Sequence, residues 1–357
     1  MEDKPIYQLN YLGKVYNTSI RMELTDKEYQ AVVDGIRKKP DIKEVIDQIQ
    51  AFAQGNTQMG KIYSYFFKET AYKVKVLYNR WSIDEALRHK PLMEFFAGKS
   101  AENKLVFPDD WELYQKIEKA FQLCGSGICS KPANFPIRTI DELLETYCGE
   151  GKNYYDFSCG WGARMLSAKK HKVNYFGTDP NTELYQELKE CSALYDKVIY
   201  DDNALLSFLD YERPTTDIRC IGSENLQQDW IDKMDFAFTS PPYFSLEDYR
   251  IGDGQSYKEG TDYNDWLNNY ARPTIQNCFK YLKKGGIFGY NIKNNFNYIK
   301  YDMEKDWYNI AIESGFKFKE NKRLKNIARC YGVKGEDEDA DVHLADTDEN
   351  IKIFIKE

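Results

Sequence analysis

From about residue 132 onward, short apolar runs and amphipathic stretches take turns, and this alternation limits the fold more than any other feature. Strands are expected at 153–157, 173–177, 197–200, 234–238 and 285–290. Helices are expected from near Ala163, at 181–194, at 262–282 and at 303–313. Pro273 should kink or split the third of these, because proline lacks the N–H a helix interior needs. Two strands, 316–319 and 351–355, close the chain with no long helix between them. Strands separated by helices predict a mainly parallel sheet covered on both faces, over residues 132–357.

Residues 1–131 have a different texture, mostly helical and rather polar, and read as a separate N-terminal domain. Thr25 followed by Glu28, and Ser82 followed by Glu85, are capping-box patterns. Asp109 after Pro108 is a third candidate cap. Between them lie Ile62, Tyr63, Phe66, Phe67, Tyr72, Val76 and Tyr78, interleaved with lysines. Aromatics with basic neighbours suit nucleic acid. The same residues suit a helical core, and that reading has the stronger prior. The chain's net charge is −8, yet residues 1–131 hold 20 basic against 18 acidic groups, so the acidity sits elsewhere. Local patches govern phosphate contact, and overall charge does not exclude it. A basic cluster occurs within 317–325 and an acidic run at 336–341.

Eight cysteines are scattered without a C-x-x-C spacing, which points to reduced thiols and a cytoplasmic protein. No run of eighteen apolar residues suggests a membrane span. His89, His171 and His343 have no ligand-spaced partners, so no metal site is expected.

Chemistry concentrates at three strand ends. Asp156-Phe-Ser-Cys-Gly-Trp-Gly162 joins the first strand of the sheet to its helix. Glycines there let backbone approach a ligand, and the helix start offers free N–H groups. Asp156, Ser158, Cys159, Gly160 and Gly162 are therefore candidate cofactor contacts. Asp179 ends the next strand, where nucleotide-binding α/β folds set an acid against ribose hydroxyls. Asp202, preferred to Asp201, follows the 197–200 strand and is the candidate acceptor for an adenine amino group. Each acid could alternatively serve only as a helix cap. The strand 234–238 then stops abruptly at Ser240-Pro-Pro-Tyr243. Two prolines leave rigid carbonyls, Ser240 adds an acceptor and Tyr243 a flat face, a set that suits a planar base bearing an NH2 group.

The stretch Ser240-Pro-Pro-Tyr-Phe-Ser-Leu-Glu-Asp-Tyr249, followed by Gly254-Gln255, resembles the catalytic motif of DNA amino-methyltransferases. The resemblance covers about residues 132–357. It implies a Rossmann-like class I methyltransferase sheet with helices on both faces, S-adenosylmethionine as cofactor, and a DNA base flipped out of its stack. It implies catalytic roles for Ser240, Pro241, Pro242 and Tyr243, and it places Phe135 and Pro136 near the cofactor's methionine end. Glu247 stands where the family usually has Arg. Ser240 is typical of cytosine-N4 enzymes, whereas a cofactor motif preceding Ser-Pro-Pro-Tyr is common among adenine-N6 enzymes. Cytosine N4 is favoured, because residue 240 faces the chemistry.

RNA is an alternative substrate, since the same pocket would take a splayed single-stranded base. A non-catalytic binding protein should have lost Asp179 or the Pro-Pro-Tyr run, and neither is lost. NAD binding competes for the glycine loop, but Ser-Pro-Pro-Tyr has no part in hydride transfer. The N-terminal domain is expected to contact DNA or help choose the target, with dimerisation as the alternative.

Overall fold

The computed structural model describes residues 7–11, 14–76, 80–102, 110–123, 128–129, 132–201, 213–258, 260–292, 294, 300–323 and 350–357. A hairpin of β1 (Tyr7–Tyr11) and β2 (Lys14–Thr18) opens the chain. The main sheet contains β3 (Asn153–Asp156), β4 (Asn174–Thr178), β5 (Thr216–Arg219), β6 (Met234–Thr239), β7 (Leu282–Asn291), β8 (Lys317–Arg323) and β9 (Asn350–Ile355). Its order is β5-β4-β3-β6-β7-β9-β8, parallel except that β9 runs against both neighbours. This is the class I methyltransferase arrangement. Strand order reverses between β3 and β6, so a crevice opens beyond their carboxyl ends.

Alternation along the strands assigns side chains to two cores. Tyr154, Phe236, Phe238, Ile287, Ile351 and Ile353 face helices Ile137–Tyr147, Ala163–Lys170 and Thr182–Asp196. Tyr155, Phe157, Ala237, Phe288, Tyr290 and Phe354 face the helical run 263–281 and helix Met303–Glu313. Tyr154 also donates to the Phe238 carbonyl at 2.9 Å, locking β3 to β6.

The 263–281 run is split as proline chemistry requires. Tyr263–Trp266 passes through a π-helical turn, Leu267–Ala271, into Arg272–Tyr281, with Pro273 in the first turn of the last piece. One expected strand is absent. Residues 197–201 form a π-helical turn continuing helix Thr182–Asp196. The Lys197 N–H bonds back to the Ala193 and Leu194 carbonyls, and no Gly or Pro interrupts the helix there. The apolar Val198 and Tyr200, which read as a strand, are buried from this turn instead. The true third strand is β5, just after Pro214.

Both capping boxes form, at Thr25–Glu28 and Ser82–Glu85. The β1–β2 hairpin departs from the helical expectation for this region. Asp109 and Tyr78 lie outside the described residues. Ile62, Tyr63, Phe66, Phe67 and Tyr72 are buried, so these aromatics are core. Packing crosses residue 131. Val45, Ile49, Phe52, Ile62 and Phe67 share one cluster with Tyr154 and Phe238 of the sheet. Leu24, Ile36, Tyr72, Leu92, Phe96 and Ile117 belong to a second cluster confined to the N-terminal region. Among the described residues, no helix is long and apolar enough to cross a membrane.

Candidate cofactor and active site

At the switch point lies a cavity of about 410 Å³. It brings together Phe135, Pro136, Ser158, Cys159, Gly160 and Asp179 with Ser240, Pro241, Pro242 and Tyr243. These residues come from three separate strand ends and from the segment before helix Ile137–Tyr147. Asp202 lies outside the described residues. Asp156 and Gly162 are not on the cavity wall, and their positions explain what they do.

Asp156 is fully buried beneath the glycine loop. One oxygen accepts from Arg164 Nε at 2.8 Å and the Tyr175 hydroxyl at 2.9 Å. The other accepts from the Thr239 hydroxyl at 2.9 Å. Arg164 also reaches the Ser158 carbonyl through Nη2. The carboxylate thus ties together β3, β4, β6 and the following helix, so it shapes the loop without touching the cavity. Gly160 and Gly162 have φ of +57° and +74°, conformations that favour glycine. A Cβ on Gly162 would sit 2.7 Å from the Phe67 ring, so the N-terminal region packs directly on the loop.

Asp179, 9 % exposed, follows β4. Its Oδ1 accepts from the Asn181 N–H at 3.0 Å, and the Gly160 N–H also bonds this carboxyl. Burial pushes its pKa up to about 6 despite those donors. Phe135 packs edge-on against Phe238, and the Arg164 guanidinium lies over its face.

Ser240 follows β6. Its hydroxyl donates to the Asn291 carbonyl at 3.3 Å. A hydroxyl has one proton and two lone pairs, so with the proton spent it is left as an acceptor. Among the described residues, neither the Pro241 nor the Pro242 carbonyl accepts a hydrogen bond. These acceptors share one cavity with the Tyr243 ring.

Residues 247–256 cross above. Gln255 ties this strap to itself: its Oε1 accepts from the Tyr249 N–H at 3.0 Å, and its Nε2 donates to the Glu247 carbonyl at 2.8 Å. Gly254 packs on Pro180, beside Asp179. The strap is bridged to the N-terminal region, since Lys75 and Asp248 exchange two backbone hydrogen bonds of 2.9 Å. Arg250 and Lys75 both reach Glu85, at 2.7 and 3.2 Å.

Sequence reading missed Gly222, Ser223 and Glu224, which line the cavity beyond the true third strand. Pro214 and the run Thr216–Arg219 were the available signal. It also did not assign Arg164, Tyr249 and Tyr270 to the cavity wall.

The Asp, Glu, Lys and Arg side chains on the described wall are Arg164, Asp179, Glu224 and Glu247, and Arg164 is already paired with Asp156. Such a wall suits a cationic or neutral ligand. Within the basic cluster near the C-terminus, Lys317 pairs with Glu357 and Lys322 with Glu142.

No protein-family model matches the chain, and no curated protein matches its sequence. Solved structures do resemble it. The [4+2]-cyclase SpnF has 13 % identity and a TM-score of 0.37, the match covering 53 % of this chain and 59 % of SpnF. A TehB-like SAM-dependent methyltransferase from Corynebacterium glutamicum has 12 % identity and a TM-score of 0.38, over 68 % of this chain and 97 % of that one. A putative rRNA-methylase from Clostridium thermocellum has 12 % identity and a TM-score of 0.36, over 63 % of this chain and 97 % of that one.

Proposed function

We propose that this chain is an S-adenosylmethionine-dependent methyltransferase acting on the exocyclic amino group of a DNA base, cytosine N4 ahead of adenine N6. The observation that carries the reading is the pairing of walls. Acceptors at Ser240 and Pro241 share one cavity with the glycine loop and Asp179.

The residues present fit the cofactor. Asp179 offers an acceptor for ribose hydroxyls, Gly160 allows close backbone approach, and the acidic wall tolerates a sulfonium. Ser223 and Glu224, beyond β5, line the same cavity and are further candidates for the adenine side beside Asp202. When bound, S-adenosylmethionine supplies an already activated methyl group, so the protein needs no strong nucleophile.

The chain's own task is to hold and prepare the amino nitrogen. Its lone pair is delocalised into the ring, which makes it a poor nucleophile. Ser240 Oγ and the Pro241 carbonyl accept its two hydrogens and favour a more tetrahedral nitrogen. They also stabilise the positive charge that develops there. Tyr243 stacks on the base. Flipping costs about a few kcal/mol, and aromatic stacking returns about 1–3 kcal/mol per base. Tyr243 is therefore a large part of how the extruded base is held.

The test is transfer from labelled S-adenosylmethionine to double-stranded DNA, single-stranded DNA and RNA, followed by nucleoside analysis. N4-methylcytosine in DNA is expected. N6-methyladenine would favour the alternative that the motif order supports, and methylated RNA alone would move the substrate class.

A further inference from the structure

Glu247 is the one residue of the Ser-Pro-Pro-Tyr to Gly-Gln stretch that reverses the expected charge, and it lies on the cavity wall between Tyr243 and Tyr249. Its carboxyl accepts from the Tyr249 hydroxyl at 2.6 Å and from the Tyr243 backbone N–H. Both partners are neutral. Among the described residues it makes no ion pair. Arg250, three residues on, turns away to Glu85 and Asp248. Burial raises the Glu247 carboxyl, as expected for an acid lacking a cation. The remaining wall carboxylates, Asp179 and Glu224, add negative potential. A half-buried carboxylate held only by neutral donors gains from a ligand that brings the missing charge.

We propose that Glu247 is the counter-charge for the cofactor's sulfonium and makes the cavity prefer the methyl donor over its spent product. The inference rests on the cofactor reading above. S-adenosylmethionine carries the sulfonium cation, whereas S-adenosylhomocysteine lacks the methyl, has a neutral thioether and is otherwise alike. Differential contact with this one charge separates them, and the preference clears the cavity of product after turnover. The ammonium of the methionine moiety is common to both ligands and cannot account for a difference between them.

The experiment is calorimetric titration of S-adenosylmethionine, S-adenosylhomocysteine and sinefungin, which carries an amine-bearing carbon in place of the sulfonium. The full chain is used as wild type, Glu247→Gln and Tyr249→Phe. Wild type should prefer both cationic ligands over S-adenosylhomocysteine. Glu247→Gln should reduce that preference by about ten-fold, the scale of one close charge pair, and leave S-adenosylhomocysteine affinity nearly unchanged. Tyr249→Phe removes a hydroxyl but keeps the carboxylate, so it should retain the preference. If Glu247→Gln weakens all three ligands equally, or leaves the ratio unchanged, the pairing is wrong. Loss of the preference in Tyr249→Phe with Glu247 intact would also overturn it. A wild-type chain that binds none of the three overturns the cofactor reading itself, and this inference with it.

Discussion

The floor of the cavity is tied down within the sheet, whereas its roof is held from outside by the N-terminal region. Below, Asp156 binds Arg164, Tyr175 and Thr239, so four elements meet on one buried carboxylate. Above, the strap and the turn leading into it each carry a non-glycine residue in a left-handed conformation, Arg250 at φ +60° and Ser245 at +53°. Each costs about 1 kcal/mol, and the strap is held by Lys75, Glu85 and Gln255. A floor built this way is as rigid as the fold. A roof built this way should loosen without unfolding the sheet, and on the proposed function the N-terminal region would then bear on ligand retention.

That contrast can be broken from either side. The largest effect is expected at the chemistry, where the floor meets the base: Tyr243→Ala and Ser240→Ala should each lower turnover by about 100-fold or more, with S-adenosylhomocysteine affinity nearly intact. Single-turnover kinetics beside calorimetry checks this, and normal turnover in either variant would remove the site assignment. Next, Asp156→Asn leaves the Arg164 guanidinium buried without its counter-charge. It should cost about 3–5 kcal/mol of stability, read as a lower urea midpoint. Lys75→Pro deletes one N–H of the strap bridge. It should weaken S-adenosylhomocysteine binding by about three- to ten-fold, an amount in line with one or two hydrogen bonds, while the urea midpoint moves little. A large stability loss there would mean the roof is part of the folding unit.

Two pH effects sharpen the comparison further. Burial pushes the Asp179 carboxyl up to about 6 in the free protein. Ribose hydroxyls favour its ionised form, so S-adenosylhomocysteine affinity should be flat above pH 7 and fall as pH drops through 6. Asp179→Asn should abolish the slope. The smallest effect belongs to Glu187, on the helix facing Thr70, where burial lifts the carboxyl from 4.5 to about 7. A raised acid stabilises the native state in its protonated form. That contribution is full below pH 4.5 and lost as pH rises through 7. Glu187→Gln should flatten the decline of the melting temperature between pH 5 and 8, and an unchanged profile would assign the slope elsewhere.

The sheet was legible because Tyr154 and Tyr155, or Phe236 and Ala237, alternate between two cores, and period-two patterning survives in any context. The Ser-Pro-Pro-Tyr stop was legible because proline's restrictions are local. Lys197–Tyr200 misled because β-branched and aromatic residues also serve a helical turn that packs inward, and this misplaced the third strand. With it went Ser223 and Glu224. The burial of Asp156 was illegible for another reason: its partner Thr239 lies 83 residues away. The same holds for Phe67 on Gly162 and Lys75 on Asp248, since contacts between distant segments leave no spacing to read.

Digestion of methylated DNA to nucleosides tests the account most directly. After incubation with labelled S-adenosylmethionine, the label should appear on an exocyclic amino nitrogen, as N4-methylcytosine or secondarily N6-methyladenine, and vanish with Tyr243→Ala. Label on a ring carbon or a ribose oxygen, or label that persists without Tyr243, would contradict it.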